Sequence, residues 1–273
     1  MPLLKLTPPL TPCLFTGPLG YPNRTEADGA NLLARAVAPH QGVVMWRAFV
    51  YGNGKTGQED RARQAGDTFL WLDGQFDDNV IVQVKNGPMD FQVREPCSPL
   101  LTGALPNTNV MMEVQAAQEY TGQGIHAVGL AKQWEHYLNF DTLRYGPGSK
   151  LSSLLSRTGP FAGANTSISG MAAVSNLGNW KNWTGSIWGQ SNTYAFGRMA
   201  WDPTLSSAAV NGQWARQTFG SATPAPTLAG IEHILDVGWE VFENYTRCAI
   251  PAYYSCSPFF LGLLSYPPPR WRL

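Results

Sequence analysis

The sequence predicts an α/β protein with a parallel sheet, followed by a helical region. Short apolar runs alternate with amphipathic segments in the first half of the chain, and from residue 205 onward only helical periodicity remains. Strands that alternate with helices form parallel βαβ units, and strands that are apolar along their length are covered on both faces. A (β/α) barrel and a doubly wound sheet both satisfy this pattern. No G-x-G-x-x-G motif follows a strand, which removes the usual support for a dinucleotide-binding fold.

The elements follow one another in a regular order. A helix is predicted over residues 27–38, because Leu32 and Leu33 lie on its apolar face and Pro39 ends it. Buried strands are predicted at residues 43–51, 80–84 and 110–115, with a Gly-rich loop at 53–57 and a helix at 59–70. Residues 124–138 predict one more strand followed by a helix, and residues 205–219 and 228–244 predict two amphipathic helices.

Composition and charge exclude several classes of protein. The 273 residues include 19 Lys and Arg and 19 Asp and Glu, and this balance gives no general attraction to nucleic acid or to an acidic membrane. No stretch approaches the roughly 20 apolar residues of a membrane span. The cysteines Cys13, Cys97, Cys248 and Cys256 form no C-x-x-C pair, and no His stands at zinc-ligand spacing, so no metal site is predicted. No phosphate-binding loop is present, and we predict no cofactor.

Polar residues interrupt or follow the predicted strands at three places. Arg47 lies within the first apolar run, where a cation is costly unless it is paired or faces a ligand. Lys85 and Asp90 follow the second run, and Glu119 ends a cluster that begins at Glu113 in the third. In parallel barrels, the residues just beyond the carboxyl ends of the strands carry the chemistry. The alternative is a network of internal salt bridges among Arg47, Lys85, Asp90 and Glu119, because ionic networks also occupy strand ends.

Several long motifs carry a family resemblance. They are EADGANLLARAVAPHQGVVMWRAFVY (26–51), QVKNGPMDFQVREP (83–96), GALPNTNVMMEVQAAQEYTGQ (103–123), QWEHYLNFDT (133–142), SGMAAVSNLG (169–178), YAFGRMAWDP (194–203) and VFENYT (241–246). Together they resemble the catalytic domain of family 67 α-glucuronidases, microbial enzymes of xylan breakdown. The resemblance covers residues 17–246, and runs of this length are far more specific than a short pattern.

The resemblance implies a partial (β/α)8 TIM barrel at residues 17–203, followed by the start of a mainly helical C-terminal domain at 204–246. Residues 1–16 and the Pro-rich residues 247–273 do not match the family, and the abrupt loss at both ends favours a fragment or a mistranslated gene model. The family and four N-x-S/T sequons imply secretion, although no signal peptide is visible. For the full-length family the resemblance also implies a homodimer.

The resemblance further implies roles for four residues. Asp90 matches the carboxylate of the family's G-P-x-D-F-Q motif and Glu119 the Glu of its Q-E-Y motif, and together they would activate the attacking water. Arg47 and Lys85 match residues that hold the uronic acid, where Arg binds a carboxylate bidentately and Lys adds a point charge. The implied reaction is the inverting hydrolysis of the α-1,2 bond between (4-O-methyl)-glucuronic acid and a xylo-oligosaccharide.

One departure from the family bears on activity. The general acid is a Glu in a motif like S-E-G-x-P-G-P, and Cys13 stands at the corresponding position of this chain. A thiol does not replace a carboxylic acid poised near neutral pH. We therefore expect a chain that lacks the general acid. The alternatives are a non-catalytic carbohydrate-binding remnant and a fragment that does not fold by itself.

Overall fold

Four parallel strands form one sheet in the computed structural model, which describes residues 24–48, 61–89, 91–122, 126–162, 167–175, 184–220 and 222–246. The strands are Val44–Arg47 (β1), Val80–Lys85 (β2), Val110–Gln115 (β3) and Gly170–Val174 (β4). The α-helices of the described part are Glu26–Val37 (α1), Arg61–Phe69 (α2), Ala131–Leu138 (α3), Leu151–Ser156 (α4), Ile187–Trp201 (α5), Ser207–Phe219 (α6) and Ala225–Thr246 (α7). Short 3₁₀ turns lie at Ala38–His40, Leu70–Leu72, Pro99–Leu101 and Gly159–Phe161.

The strand order decides between the two sheet architectures that the sequence left open. The sheet runs β1-β2-β3-β4, in the order of the chain, and every pair is parallel. A doubly wound sheet reverses its order at a switch point, whereas a (β/α) barrel keeps the chain order. The prediction of an α/β fold with part of a barrel is confirmed for these four strands. The domain boundaries stay a prediction.

The two faces of the sheet carry different kinds of side chain. Along β2 and β3 the even-numbered residues pack into the main hydrophobic core beneath the helices: Val80, Val82, Val84, Val110, Met112 and Val114. Because side chains alternate along a strand, the odd-numbered residues lie on the opposite, inner face: Ile81, Gln83, Lys85, Met111, Glu113 and Gln115. The outer face therefore supplies most of the packing, and the inner face carries polar and charged side chains.

Serine and threonine side chains fix where several helices begin. Thr25 accepts a hydrogen bond from the Asp28 backbone N–H at 3.1 Å, while the Asp28 carboxylate accepts one from the Thr25 N–H at 2.8 Å. This reciprocal pair is a capping box, which satisfies donors that the first helical turn leaves unpaired. Ser186 and Ser206 cap α5 and α6 by a simpler contact, in which each serine hydroxyl accepts a hydrogen bond from the backbone N–H of Gly189 or Ala209.

The first strand is shorter and more exposed than its apolar sequence predicts. We expected a buried strand over residues 43–51, but β1 covers four residues, and residues 49–51 lie outside the described part. Trp46 packs against the core and donates to Glu26 of α1 at 2.9 Å, whereas Met45 on the inner face is 59% exposed. The difference arises because, among the described strands, only β2 pairs with β1, so one edge and the inner face of β1 are less covered.

The strand expected ahead of the helix in residues 124–138 is wrong for its described part. Helix α3 is present, but residues 126–130 form no strand. A side chain takes the place of a neighbouring strand: the Asn192 amide donates to the Val128 carbonyl at 2.9 Å and accepts from the Leu130 N–H at 2.8 Å. Because these hydrogen bonds satisfy the backbone groups of Val128 and Leu130, the segment does not need a place in the sheet.

The fourth strand is one that we did not predict. Its sequence, GMAAV, consists of small and apolar residues without the long apolar run that marks β2 and β3. Contacts made before the strand begins set its register on β3. Asn109 accepts hydrogen bonds from the N–H groups of Ser167 and Ile168 at 2.9 and 3.1 Å, and the Ser169 hydroxyl donates to the Val110 carbonyl at 2.6 Å. Tertiary contacts therefore place a segment whose own strand signal is weak.

Helices α6 and α7 confirm the two helices expected at residues 205–219 and 228–244. Both pack on the helical side of the sheet through polar contacts as well as apolar ones. Glu135 of α3 accepts from the Ser207 N–H at 3.0 Å, and the Trp239 indole donates to the Val93 carbonyl at 2.8 Å. Within the described ranges, no helix is both long enough and apolar enough to cross a membrane.

Helix α7 approaches the segment before α3 backbone to backbone. A Cβ added at Gly238 would lie 2.8 Å from the Ala127 carbonyl oxygen and 3.1 Å from the Gly129 nitrogen. A Cβ added at Gly129 would in turn collide with the Leu235 carbonyl oxygen. Both glycines are therefore needed for the close approach of the two backbones.

The close approach of α7 to this segment predicts opposite effects on stability for two alanine substitutions in α7. Gly238→Ala should destabilise the protein by about 1–3 kcal/mol, because its methyl group overpacks a backbone contact. Gly230→Ala is the matched control, since an added Cβ there meets nothing within 4 Å, and it should stabilise the helix by roughly 0.5–1 kcal/mol. Urea unfolding of both variants and the wild type measures these changes in the free energy of unfolding. Equal effects would contradict the packing of α7.

Burial also determines the pKa and the reactivity of Cys97, the one cysteine among the described residues. Cys97 is 8% exposed, and burial raises the pKa of its thiol to about 12. The native protein should therefore resist thiol-modifying reagents at Cys97 near pH 8, where an exposed cysteine reacts. Because the folded pKa is the higher one, the Cys97 contribution to stability should be lost as the pH rises from about 9 towards 12. Labelling rates and alkaline melts of wild type and Cys97→Ala test both effects, and rapid native labelling at Cys97 would contradict them.

Candidate active site

Polar side chains gather on the inner face at one end of the sheet. Arg47, Lys85 and Gln115 are the last residues of β1, β2 and β3. Because the strands are parallel, their carboxyl ends meet at the same edge, which is where barrel enzymes build their active sites. The residues that the sequence singled out on these strands therefore share one face and one edge.

Three of these strands are joined by a charged network centred on Glu113. The Arg47 Nε lies 2.9 and 2.8 Å from the two Glu113 carboxylate oxygens, and Arg47 Nη2 also contacts Oε1. The Gln83 amide donates to Glu113 Oε2 at 2.5 Å. Glu113 is 0% exposed, and a buried carboxylate is costly unless it is paired and hydrogen-bonded. The network supplies both, with donors from β1 and β2 meeting an acceptor on β3.

Lys85 lies beside this network, largely buried and in contact with an aromatic ring. It is the register partner of Glu113 across β2 and β3, and only 7% of its surface is exposed. Its ammonium lies 5.7 Å from the centroid of the Phe91 ring, within cation–π range. A lysine held at the end of a parallel strand in this way is a preorganised cation on the inner face.

The turn after β2 is tightly held on both sides of Asp90, which lies outside the described residues. Asn86 donates its N–H to the Glu113 carbonyl at 2.9 Å and accepts from the Ser98 N–H at 2.9 Å. A Cβ at Gly87 would collide with the Glu95 carboxylate, so the turn requires glycine there. Phe91 has a positive φ of 52°, an uncommon conformation for a bulky residue that often accompanies functional sites.

Glu119 lies in the turn that follows β3. Its carboxylate accepts a hydrogen bond from the Gln115 amide at 3.0 Å. Gln115 lies on the inner face of β3, two residues after Glu113, so this bond holds Glu119 beside that face. Gln118, with a positive φ of 56°, donates its amide to the Thr121 carbonyl at 3.2 Å and shapes the turn. Glu119 itself is exposed, so its carboxylate is accessible at the edge where Arg47 and Lys85 lie.

The structure adds one residue that the sequence analysis left without a role. In the sequence Glu113 marks only the start of the third cluster, and neither the catalytic interpretation nor the salt-bridge alternative makes it the partner of Arg47. A signal for it was available, because Glu113 and Arg47 are opposite charges that each interrupt an apolar strand. Such charges are costly alone and are expected to meet across a sheet.

Comparisons with known proteins identify the family of this chain. Residues 14–183 match the family model described as the glycosyl hydrolase family 67 middle domain, and residues 184–249 match the model of the family 67 C-terminus. The chain belongs to glycosyl hydrolase family 67. The family resemblance seen in the motifs is therefore confirmed.

Named relatives of this family 67 chain include fungal proteins. It is 45% identical over 233 residues to the probable alpha-glucuronidase A of Aspergillus clavatus, covering 84% of this chain and 27% of that protein. It is 43% identical over 235 residues to the alpha-glucuronidase A of Emericella nidulans, with the same coverage, and 44% identical over 232 residues to the alpha-glucuronidase of Hypocrea jecorina, covering 84% of this chain and 26% of that protein. The chain thus spans about a quarter of the length of these relatives.

The Glu113 network of this family 67 chain predicts a large stability cost when its cation is removed. Arg47→Met leaves a fully buried carboxylate without its guanidinium, and we expect a loss of about 1–3 kcal/mol. Arg35→Met is the matched control, because Arg35 pairs with Asp77 at 2.8 Å on the surface, and such pairs contribute less than about 1 kcal/mol. Denaturant unfolding of both variants compares them. Similar losses would show that Glu113 does not depend on Arg47.

Proposed function

We propose that this chain carries the uronate-binding and water-activating half of an inverting α-glucuronidase site. The observation that supports this most directly is the placement of Arg47 and Lys85 on one inner face, at adjacent strand ends. Two cations held at the same edge suit a carboxylated sugar, because charge-assisted hydrogen bonds to a carboxylate are stronger than neutral ones. The names of the relatives, alpha-glucuronidases, agree with such a ligand.

Under this proposal each side chain has a distinct task. Arg47 and Lys85 hold the carboxylate of (4-O-methyl)-glucuronic acid, while Asp90 and Glu119 take the proton of the attacking water. An inverting enzyme places its base and its acid about 6.5–9.5 Å apart so that water fits between the base and the sugar. The exposure of Glu119 at the strand ends is compatible with a base that must reach this water. The ligand is a xylo-oligosaccharide that carries the uronic acid through an α-1,2 bond, and the reaction takes place outside the cell.

A second candidate function is binding without hydrolysis. Cys13 stands where the family resemblance implies the general acid, and a thiol does not supply that proton near neutral pH. A chain with the uronate-binding residues and no acid would hold acidic xylo-oligosaccharides without cleaving them. Binding and hydrolysis therefore need separate measurements.

Binding is tested with a charged and a neutral oligosaccharide. Isothermal titration should show that the wild type binds xylotriose carrying 4-O-methyl-glucuronic acid and binds plain xylotriose much more weakly. Lys85→Met should weaken binding of the acidic ligand by about tenfold or more, because a charge-assisted hydrogen bond contributes roughly 1.5–3 kcal/mol. Lys132→Met is the matched control, since Lys132 pairs with Glu240 on the helical side at 3.0 Å. Equal affinity for the two oligosaccharides would contradict uronate recognition.

Hydrolysis is tested by restoring a carboxyl group at position 13. The wild type should release little or no 4-O-methyl-glucuronic acid, because general acid catalysis contributes about 10²–10⁴-fold to the rate. Cys13→Glu should raise the rate, and Cys13→Gln, which has a similar size but no acidic proton, should not. Efficient turnover by the wild type would show that another group donates the proton.

A further inference from the structure

Glu113 accepts more hydrogen bonds from Arg47 than charge balance requires. A single hydrogen bond would pair the two charges, yet Arg47 Nε lies within 2.9 Å of both carboxylate oxygens and Nη2 makes a further contact with Oε1. Contact through Nε and Nη2 fixes the plane and the edge of the guanidinium, because its N–H groups have a rigid planar geometry. The remaining N–H groups then point away from Glu113.

Gln83 in turn fixes the carboxylate of Glu113. Its amide donates to Oε2 at 2.5 Å, and Gln83 is the register partner of Arg47 on the neighbouring strand. Glu113 is 0% exposed, so its carboxylate has little freedom to rotate. Donors from two strands therefore hold one acceptor on a third, and the acceptor sets the position of the guanidinium.

We propose that Glu113 is a positioning residue that orients the Arg47 guanidinium for the planar carboxylate of a uronic acid. The inference rests on the proposed function, because it assigns Arg47 a carboxylate ligand. Since Glu113 already balances the charge of Arg47, Arg47 contributes directed hydrogen bonds to the ligand, and Lys85 contributes a second cation at the neighbouring strand end. Site selectivity for a carboxylate thus depends on geometry at Arg47 and on charge at Lys85.

This role differs from simple charge balance in a measurable way. If Glu113 only neutralised Arg47, Glu113→Gln would expose more positive charge and tighten the binding of an anionic sugar, and Glu113→Asp would behave as the wild type. If Glu113 positions Arg47, both variants weaken binding. Glu113→Asp is the sharper variant, because it keeps the charge and moves the carboxylate back by one methylene group.

The test measures dissociation constants for xylotriose with and without 4-O-methyl-glucuronic acid. We expect Glu113→Asp and Glu113→Gln each to weaken binding of the acidic ligand by about tenfold or more, as misplacements near 1 Å are costly, with no change for plain xylotriose. Glu232→Gln is the matched control, since Glu232 of α7 also pairs with an arginine, Arg216 of α6, at 3.3 Å, and neither residue lies on the sheet. Wild-type affinity in Glu113→Asp, or tighter binding in Glu113→Gln, would overturn the proposal.

A second readout separates this inference from the proposed function. In the wild type, the Arg47 Nε–H should give a slowly exchanging NMR signal, because both acceptors are on a buried carboxylate. The signal should exchange faster in Glu113→Asp and Glu113→Gln while thermal melts stay cooperative, and this result would support the positioning role even if no sugar binds. Unchanged exchange in both variants would overturn it, whatever the sugar affinity. Absence of wild-type binding to the acidic ligand would instead contradict the proposed function.

Discussion

A carboxylate without solvent exposure lies in the middle of the parallel sheet, and its charge has to be balanced there. Glu113 meets this requirement by accepting hydrogen bonds from Arg47 and Gln83, which stand on the two preceding strands. Desolvation makes an unpaired charge costly at this place, so the three strands have to keep their register and the side chains their direction. The preorganisation of the inner face follows from this requirement.

The sheet separates stability from chemistry by the alternation of its side chains. The even-numbered valines of β2 contact the helices and supply apolar burial, while Gln83 and Lys85 on the same strand face the other way. A strand can therefore be packed as tightly as a core demands and still present a cation at its carboxyl end. Lys85 accordingly belongs to the inner face, where it is largely buried.

The helices beyond the sheet stabilise it through a few close contacts. Asn192 of α5 satisfies the backbone at Val128 and Leu130, and Gly238 lets α7 lie directly against the same segment. Arg94, four residues after Asp90 in the sequence, pairs with Glu243 and lies 4.8 Å from the ring centroid of Trp239. The turn that follows β2 is thus linked to α7, so packing of the last helix reaches the edge where the candidate active site lies.

The sequence by itself determined the α/β class, the strands β2 and β3, the helices α1, α2, α3, α6 and α7, and the family, because long apolar runs, helical periodicity and contiguous motifs are local signals. The apolar face expected for α1 is wrong, since Leu32 and Leu33 are exposed and the helix buries its alanines. The sequence also placed Lys85 and Glu119 just beyond strand ends, whereas it placed Arg47 inside the first strand, which the structure ends at Arg47. Only the tertiary structure decided the remaining points. The strand GMAAV depends on contacts with Asn109 and Val110, the segment before α3 is satisfied by a distant amide, and the pairing of Arg47 with Glu113 joins residues 66 positions apart. Such partners are absent from any local window of sequence, because folding alone brings them together.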